Sequence, residues 1–273
     1  MRRRQVLAAL PAVALTGCLS GDSDTGNPTP AEQTPPDGVE FVEFTHSDPI
    51  RAGREARFGA VLRNTTDTDQ YGTAALELSP AGTDWRQLVK TEYELGPAEQ
   101  ISIETTAVTH FVGSLQLRLV PRNRTTRVEV GDQPLDYGAT YELPSGIHLT
   151  VEAPRRIDAY EYETDGQRRT AIPPDGTYWD RVTVTAENRG GESAIAPYRT
   201  AFETLGYDWR EAIPCRAENT YGGGNIQPGS SQTGNLLFET RHQLVEKSIR
   251  LRHPHENGIV GATWSSATEV EEE

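Results

Sequence analysis

Few side chains in this sequence carry reactive chemistry, and they lie far apart. There are two cysteines, Cys18 and Cys215. Cys18 follows Leu15-Thr16-Gly17 at the end of an apolar run, Val6 to Leu15, interrupted only by Pro11. A cysteine sulfur is a nucleophile in its thiolate form, and the residues before this one, Thr16 and Gly17, are small. Six histidines occur, His46, His110, His148, His242, His253 and His255. Only His253-Pro254-His255, with His242 upstream, form a close set. The proline holds the pair extended and no acid or cysteine has matching ligand spacing, so exposed loop histidines and no metal are expected. Asp67-Thr68-Asp69 reads as a solvated acidic turn. Asp22 and Asp24 lack the rest of a calcium loop. No Gly-rich phosphate loop, zinc-protease helix or nucleophile elbow is present. The expectation is a protein that is not an enzyme and uses no cofactor. A hydrolase, which would need a cleft gathering a nucleophile and a histidine from different strands, ranks last.

Two other patterns carry chemistry of a gentler kind. Tyr160, Tyr162, Tyr178, Trp179, Tyr207 and Trp209 are candidate ligand-facing aromatics, a platform for a sugar ring or a partner; core and rim packing is the competing reading. Asn64-Thr65-Thr66 and Asn123-Arg124-Thr125 match the N-glycosylation acceptor pattern, and both fall at expected loops.

The segment around Cys18 sets the address. Arg3-Arg4-Gln5-Val6-Leu7 resembles a twin-arginine export motif, and Leu15-Thr16-Gly17-Cys18 resembles the lipobox of prokaryotic lipoproteins. The resemblance implies export of an already folded chain, cleavage before Cys18 and lipid on its sulfur. The ten-residue apolar core would rise about 15 Å as a helix, roughly half of a hydrocarbon core, too short to span a bilayer. Residues 1–17 are therefore expected to be a signal peptide. Residues 18–38 follow as a lipidated cysteine and a Pro-rich linker, with Asn27-Pro28-Thr29-Pro30 and Thr34-Pro35-Pro36-Asp37-Gly38. A linker with so little to bury cannot offset the entropy of ordering.

Charge agrees with an exposed location. The chain has 26 Lys+Arg and 40 Asp+Glu, and loss of residues 1–17 would remove three arginines and no acid, leaving a net charge of −17. Only Lys90 and Lys247 are lysines. An acidic, lysine-poor chain resembles proteins of salt-loving archaea, whose hydrated carboxylates keep them soluble when salt screens charge. Net charge of this sign argues against nucleic acid and against electrostatic binding to anionic headgroups. With Cys18 lipidated, Cys215 has no thiol partner, so stability must come from core burial; Cys215 is expected to be a buried small hydrophobe.

The elements that position these residues read as strands. From 39 to 131, apolar and polar residues alternate: Ala56, Phe58, Ala60 and Leu62; Ala74, Leu76 and Leu78; Ile101 and Ile103; Leu115, Leu117 and Leu119. Period two over short segments separated by turn signals predicts half-buried strands, and Val39–Phe44 carries one irregularity. Ile50-Arg51-Ala52-Gly53-Arg54-Glu55, then Ala60–Asn64, then Leu95-Gly96-Pro97-Ala98-Glu99 resemble immunoglobulin-like modules of the cell-adhesion-related type. From 133 to 265, strands are expected at 147–151, 157–162, 182–186, 194–202, 235–238, 249–252 and 259–264. Gly222-Gly223-Gly224 reads as a flexible loop. The run 176–191, with Ile226-Gln227-Pro228-Gly229 and Gly234–Glu239, resembles an uncharacterised family of exported immunoglobulin-like domains often carried by lipoproteins. That family offers no catalytic residues to transfer. Residues 266–273 form an acidic tail.

The fold class expected is all-β, with two tandem immunoglobulin-like β-sandwiches after a signal peptide and a disordered linker. The function expected is a membrane-anchored extracellular lipoprotein on the outer face. It would contact the lipid bilayer through the Cys18 lipid and act as a non-enzymatic binding or scaffolding module for another cell-surface protein. The alternative is a surface lipoprotein that binds a carbohydrate or small solute.

Overall fold

The structure is a computed structural model that describes residues 3–7, 38–80, 82, 84–205, 210–211, 219–241, 247–256 and 258–266. Cys18, Cys215, Tyr207, Trp209 and His242 lie outside these residues, as do the linker up to 37 and the tail from 267. Among the described residues the chain is all-β, and no helix is long and apolar enough to cross a membrane. It divides into two compact units. One holds residues up to Gly131 together with 255–259; the other holds Asp132–Pro254 and the chain from Val260.

The first unit contains β1 (Arg3–Leu7), β2 (Val39–His46), β3 (Ile50–Arg51), β4 (Glu55–Asn64), β5 (Gln70–Ser79), β6 (Arg86–Leu95), β7 (Gln100–Val108), β8 (Phe111–Val120) and β9 (Arg124–Gly131). One sheet has the order β1-β7-β4-β2; facing it, β9, β8, β5 and β6 pair in sequence. The period-two residues fill the space between them: Ala60, Leu62, Leu76, Ile101, Ile103 and Leu119 form one part of the core, and Phe58, Leu115, Leu117 and Val128 another. Each is nearly free of solvent, and truncating such a leucine to alanine costs about 2–5 kcal/mol. The irregularity in the first strand is a bulge between Phe41 and Glu43, where one extra residue re-aims the side chains.

The second unit contains β10 (Gln133–Asp136), β11 (Thr140–Glu142), β12 (Ile147–Val151), β13 (Arg155–Ile157), β14 (Tyr160–Thr164), β15 (Gln167–Ala171), β16 (Thr177–Asn188), β17 (Ala194–Ala196), β18 (Phe202–Leu205), β19 (Arg210–Glu211), β20 (Gly224–Ile226), β21 (Ser231–Arg241) and most of β22 (Ser248–His255) and β23 (Gly258–Ser265), whose facing ends, 255–259, belong to the first unit. Here β12 and β13 pair with one side of β16 and β21 with the other. On its core face β16 presents Val182, Val184 and Ala186, all fully buried.

The two units repeat one plan. In the first, Val39 pairs with Asn64 across β2 and β4, and Gln70 pairs with Leu95 across β5 and β6. In the second, Ile147 pairs with Asn188 across β12 and β16, and Ala194 pairs with Ile226 across β17 and β20. Gln70 and Ala194 each stand six residues after their asparagine. The long strand expected at 194–202 is broken in the second copy. Pro197 and a 3-10 turn at Arg199–Ala201 divide β17 from β18, because a proline donates no ladder hydrogen bond. Gly222 and Gly223 are not a loose loop. A Cβ on Gly223 would lie 2.3 Å from the Pro197 carbonyl oxygen, so the glycine permits a close backbone approach, and Gly224 already belongs to β20.

Candidate functional site

Each module has one strand edge with an unusual occupant. The edge in the first module is that of β7. The Asn64 N–H donates to the Glu99 carbonyl at 2.9 Å, and alternation from that bond aims Ile101, Ile103 and Thr105 at β4. The backbone groups of Gln100, Ser102 and Glu104 therefore face away from β4. Along this side lies β1, parallel and in register from Arg3 opposite Gln100 to Leu7 opposite Glu104. In the second module the equivalent strand is β21, and its outer side is taken by the module's own chain. Asn235 donates to the Asn219 carbonyl at 2.7 Å and accepts from the Tyr221 N–H at 3.0 Å, again with parallel sense at Thr220. Gly234 makes that approach feasible, since a Cβ there would lie 2.5 Å from the Tyr221 nitrogen. The signal that could have found this edge is a comparison of the two copies: Glu104 and Asn235 stand five residues beyond Glu99 and Ser230, the partners of the two conserved-role asparagines.

The edge strand of the facing sheet, β6, is guarded. Arg86, Lys90, Glu92 and Glu94 on β6 are exposed, and charge of this kind, lysine above all, blocks further strand pairing. On β7 the outward side chains are Gln100, Ser102, Glu104 and Thr106, with no lysine and no proline.

The sequence-predicted aromatics do not assemble as one platform. Tyr160 packs edge-on to Trp179 with ring centroids 5.3 Å apart, and Tyr162 follows at 6.0 Å from Tyr160. Trp179 is only 7 % exposed, so its role is to seat the hairpin formed by β14 and β15 and not to face a ligand. The neighbouring Tyr178 points to the other face of β16, where the Arg156 guanidinium stacks on it at 3.6 Å, a cation–π contact. Tyr207 and Trp209 lie outside the described residues. Of the histidines, His255 packs against Phe111 at 6.1 Å. Among the described residues no group of three or more His, Cys, Asp or Glu side chains could hold a metal ion.

The asparagine of each acceptor pattern has a different fate. Asn64 is 1 % exposed. Its Nδ2 donates to the carbonyls of Thr68 at 2.7 Å and of Leu95 and Gly96 at 3.0 Å, and its Oδ1 accepts from the Thr66 N–H at 2.8 Å. The Asn64 amide is thus committed to the turn that it closes. Asn123 sits exposed in the turn between β8 and β9 with a φ of 48°.

The second module also buries an ion pair. The Asp180 carboxylate, on the core face of β16, is 2 % exposed; Lys247 Nζ donates to both of its oxygens at 2.6 Å and Thr240 Oγ1 to one at 2.5 Å. The Tyr137 hydroxyl donates to the Lys247 carbonyl at 2.7 Å and so fixes the backbone that carries the ammonium. A compact point charge meets a buried carboxylate here, a place where a planar guanidinium has a different shape.

No protein-family model matches the chain, and no curated protein matches it. Solved structures similar to the chain include three that match about half of it. The yjhA protein of Bacillus subtilis matches at 14% identity and a TM-score of 0.36, over 48% of this chain and 98% of its own. The candidate lipoprotein ycdA of the same organism matches at 11% identity and a TM-score of 0.34, over 50% of this chain and 40% of its own. An uncharacterised β-sandwich protein of Clostridium difficile 630 matches at 9% identity and a TM-score of 0.34, over 51% of this chain and 97% of its own. The class of this protein is set by its strands: it is an all-β chain built of sandwich modules.

Proposed function

We propose that the chain is a lipid-anchored protein of the outer membrane face that recognises another surface protein by accepting one of its strands along the edge of β7. The observation that carries this reading is the pairing of Arg3–Leu7 with Gln100–Glu104. Those five residues fall within 1–17, the segment that the lipobox reading removes. Once they leave, the outward N–H and C=O groups of Gln100, Ser102 and Glu104 lose their partners. Strand addition satisfies such groups with a partner's backbone, and the partner's side chains supply specificity. The second module fills its equivalent edge with residues 219–221, so the vacancy is confined to the first. In both copies the added segment runs parallel, and the partner strand is proposed to do the same.

The anchor supports the reading from the other end. A single lipid chain binds a bilayer marginally, whereas two hold it stably; a diacyl or dialkyl glyceryl group on Cys18 would provide two. Between the lipid and β2 the sequence carries the Pro-rich residues 27–36, a composition suited to a spacer.

The test is crosslinking with a carboxyl-reactive reagent on intact membranes at native salt, in the wild type and in Ser102→Pro. The wild type is expected to give crosslinks from β7, through Glu104, to a partner protein, and Ser102→Pro to lose them. Crosslinks that map elsewhere or persist in Ser102→Pro would contradict the proposal.

A further inference from the structure

We infer that Asn123 is an N-glycosylation site and that Asn64, in the same sequence pattern, is not. The inference rests on the export reading, because glycan transfer of this kind acts on exported chains. Three observations carry it.

The first is access. Asn123, Arg124 and Thr125 are all exposed, and no described hydrogen bond or ion pair engages the Asn123 side chain. Asn123 has left-handed backbone (φ 48°), a conformation that asparagine tolerates better than most residues and that holds it at the outside of the turn. The second is the state of Asn64, whose Nδ2 is the atom a sugar would need and is already committed to three carbonyls. The third is the internal repeat. Asn188 plays the part of Asn64 in the second module, with Nδ2 donating to the carbonyls of Glu192 and Ile226 at 2.8 Å. It is followed by Arg189-Gly190, which is no acceptor pattern. The asparagine at this place is thus explained by the turn it closes, and the match at Asn64 is incidental.

The chemistry is a substitution at a sugar. Asn123 Nδ2 attacks the anomeric carbon of a lipid-phosphate-linked oligosaccharide. The carbon–oxygen bond to the phosphate breaks, the lipid phosphate leaves with that electron pair, and the proton lost from Nδ2 ends on it. Strand directions place the product. β5 begins near Asn64 and runs away from it, and β8 runs antiparallel to β5, so the 121–123 turn lies at the end of the module where Gly38 brings in the linker. A sugar there would stand beside the tether's entry.

The test is peptide mass spectrometry of the full chain purified from membranes of the cell that makes it, with Asn123→Gln and Thr125→Ala alongside. The wild-type peptide containing Asn123 is expected to be heavier by one or more sugar residues. Both variants are expected to return it to the unmodified mass, and the peptide containing Asn64 is expected to be unmodified throughout. An unmodified Asn123 peptide in the wild type, or sugar on Asn64, would overturn the inference. The Cys18 peptide from the same sample separates the two levels. Lipid on Cys18 with a bare Asn123 removes the glycan alone, whereas absence of both removes the export reading as well.

Discussion

Asn64 and Asn188 are the same residue twice. Each ends the central strand of its sheet, each is at most 1 % exposed, and each donates Nδ2 to the carbonyl four residues on and to the last residue of a returning strand. Each also accepts at Oδ1 from the N–H two residues on, at 2.8 Å from Thr66 and 2.9 Å from Gly190. An amide is suited to this because it donates and accepts at once. Replacing either with alanine strands buried carbonyls and an N–H, at about 1–3 kcal/mol for a group left unsatisfied. Asn64→Ala and Asn188→Ala are each expected to lower the unfolding free energy by an amount in that range, read as a lowered urea midpoint at constant salt. An unchanged midpoint for both would contradict the structural role.

The turn beside each asparagine differs in one informative place. Gly96–Glu99 and Gln227–Ser230 are both closed by a bond from the fourth N–H to the first carbonyl, at 3.1 and 3.0 Å. Both have proline second. The third residue has positive φ in each, 58° at Ala98 and 71° at Gly229. A left-handed conformation costs an L-residue with a Cβ roughly 1–2 kcal/mol, less the backbone entropy that glycine forfeits on folding. Ala98→Gly is expected to stabilise the protein by up to about 1 kcal/mol, read as a raised thermal midpoint.

The Asp180–Lys247 pair gives a non-additive prediction. Breaking a buried ion pair by removing one partner costs about 3–5 kcal/mol, whereas replacing both by apolar groups is often neutral. The first module shows the apolar solution, since Ala56, paired with Ala107, stands where Asp180 pairs with Phe238. Lys247→Met alone is expected to be strongly destabilising, and Asp180→Ala with Lys247→Met to recover most of the loss. A double-mutant cycle on unfolding free energies checks it; additive losses would refute the coupling.

Alkaline pH should weaken the second module. Burial raises the hydroxyl pKa of Tyr141 and Tyr221 well above the ordinary value of 10.0, and burial with the nearby Asp180 charge does the same for Tyr137. A raised folded-state pKa means that the unfolded chain loses these protons first. The stability they contribute is intact below pH about 10 and falls as pH rises beyond it. Tyr221 Oη is buried with no hydrogen-bond partner among the described residues, so Tyr221→Phe removes a proton-linked group without leaving a partner stranded. Unfolding midpoints measured across alkaline pH are expected to fall less steeply in Tyr221→Phe than in the wild type.

Much of the fold was legible in the sequence because period-two alternation directly reports which side of a strand is buried. Ala56, Phe58, Ala60 and Leu62 face the core as their spacing implies, and the irregularity near Phe41 is a bulge. The break at Pro197 had one signal, the proline itself, which donates no ladder hydrogen bond. The apolar residues on either side of it continue a strand pattern and masked it, and the close seat of Gly223 against Pro197 carried no signal. Asn64 matched an acceptor pattern that speaks of three residues and is silent on the Leu95 and Gly96 carbonyls thirty residues away. The aromatics were named by type, yet strand alternation alone sends Tyr178 and Trp179 to opposite faces. The β7 edge carried no local signal at all. It emerges from which strands pair, and from the second copy's use of Asn235 to hold its own chain.

The account turns on that edge, and one substitution addresses it most directly. Ser102→Pro removes an N–H that faces away from β4, a place where an edge strand tolerates proline, so the sandwich should keep its unfolding midpoint. With carboxyl-reactive crosslinking on intact membranes at native salt, the account predicts a partner joined through Glu104 in the wild type. That partner should be absent in Ser102→Pro while the lipid on Cys18 is retained. The same crosslink at undiminished yield in a folded, lipidated Ser102→Pro protein would contradict it.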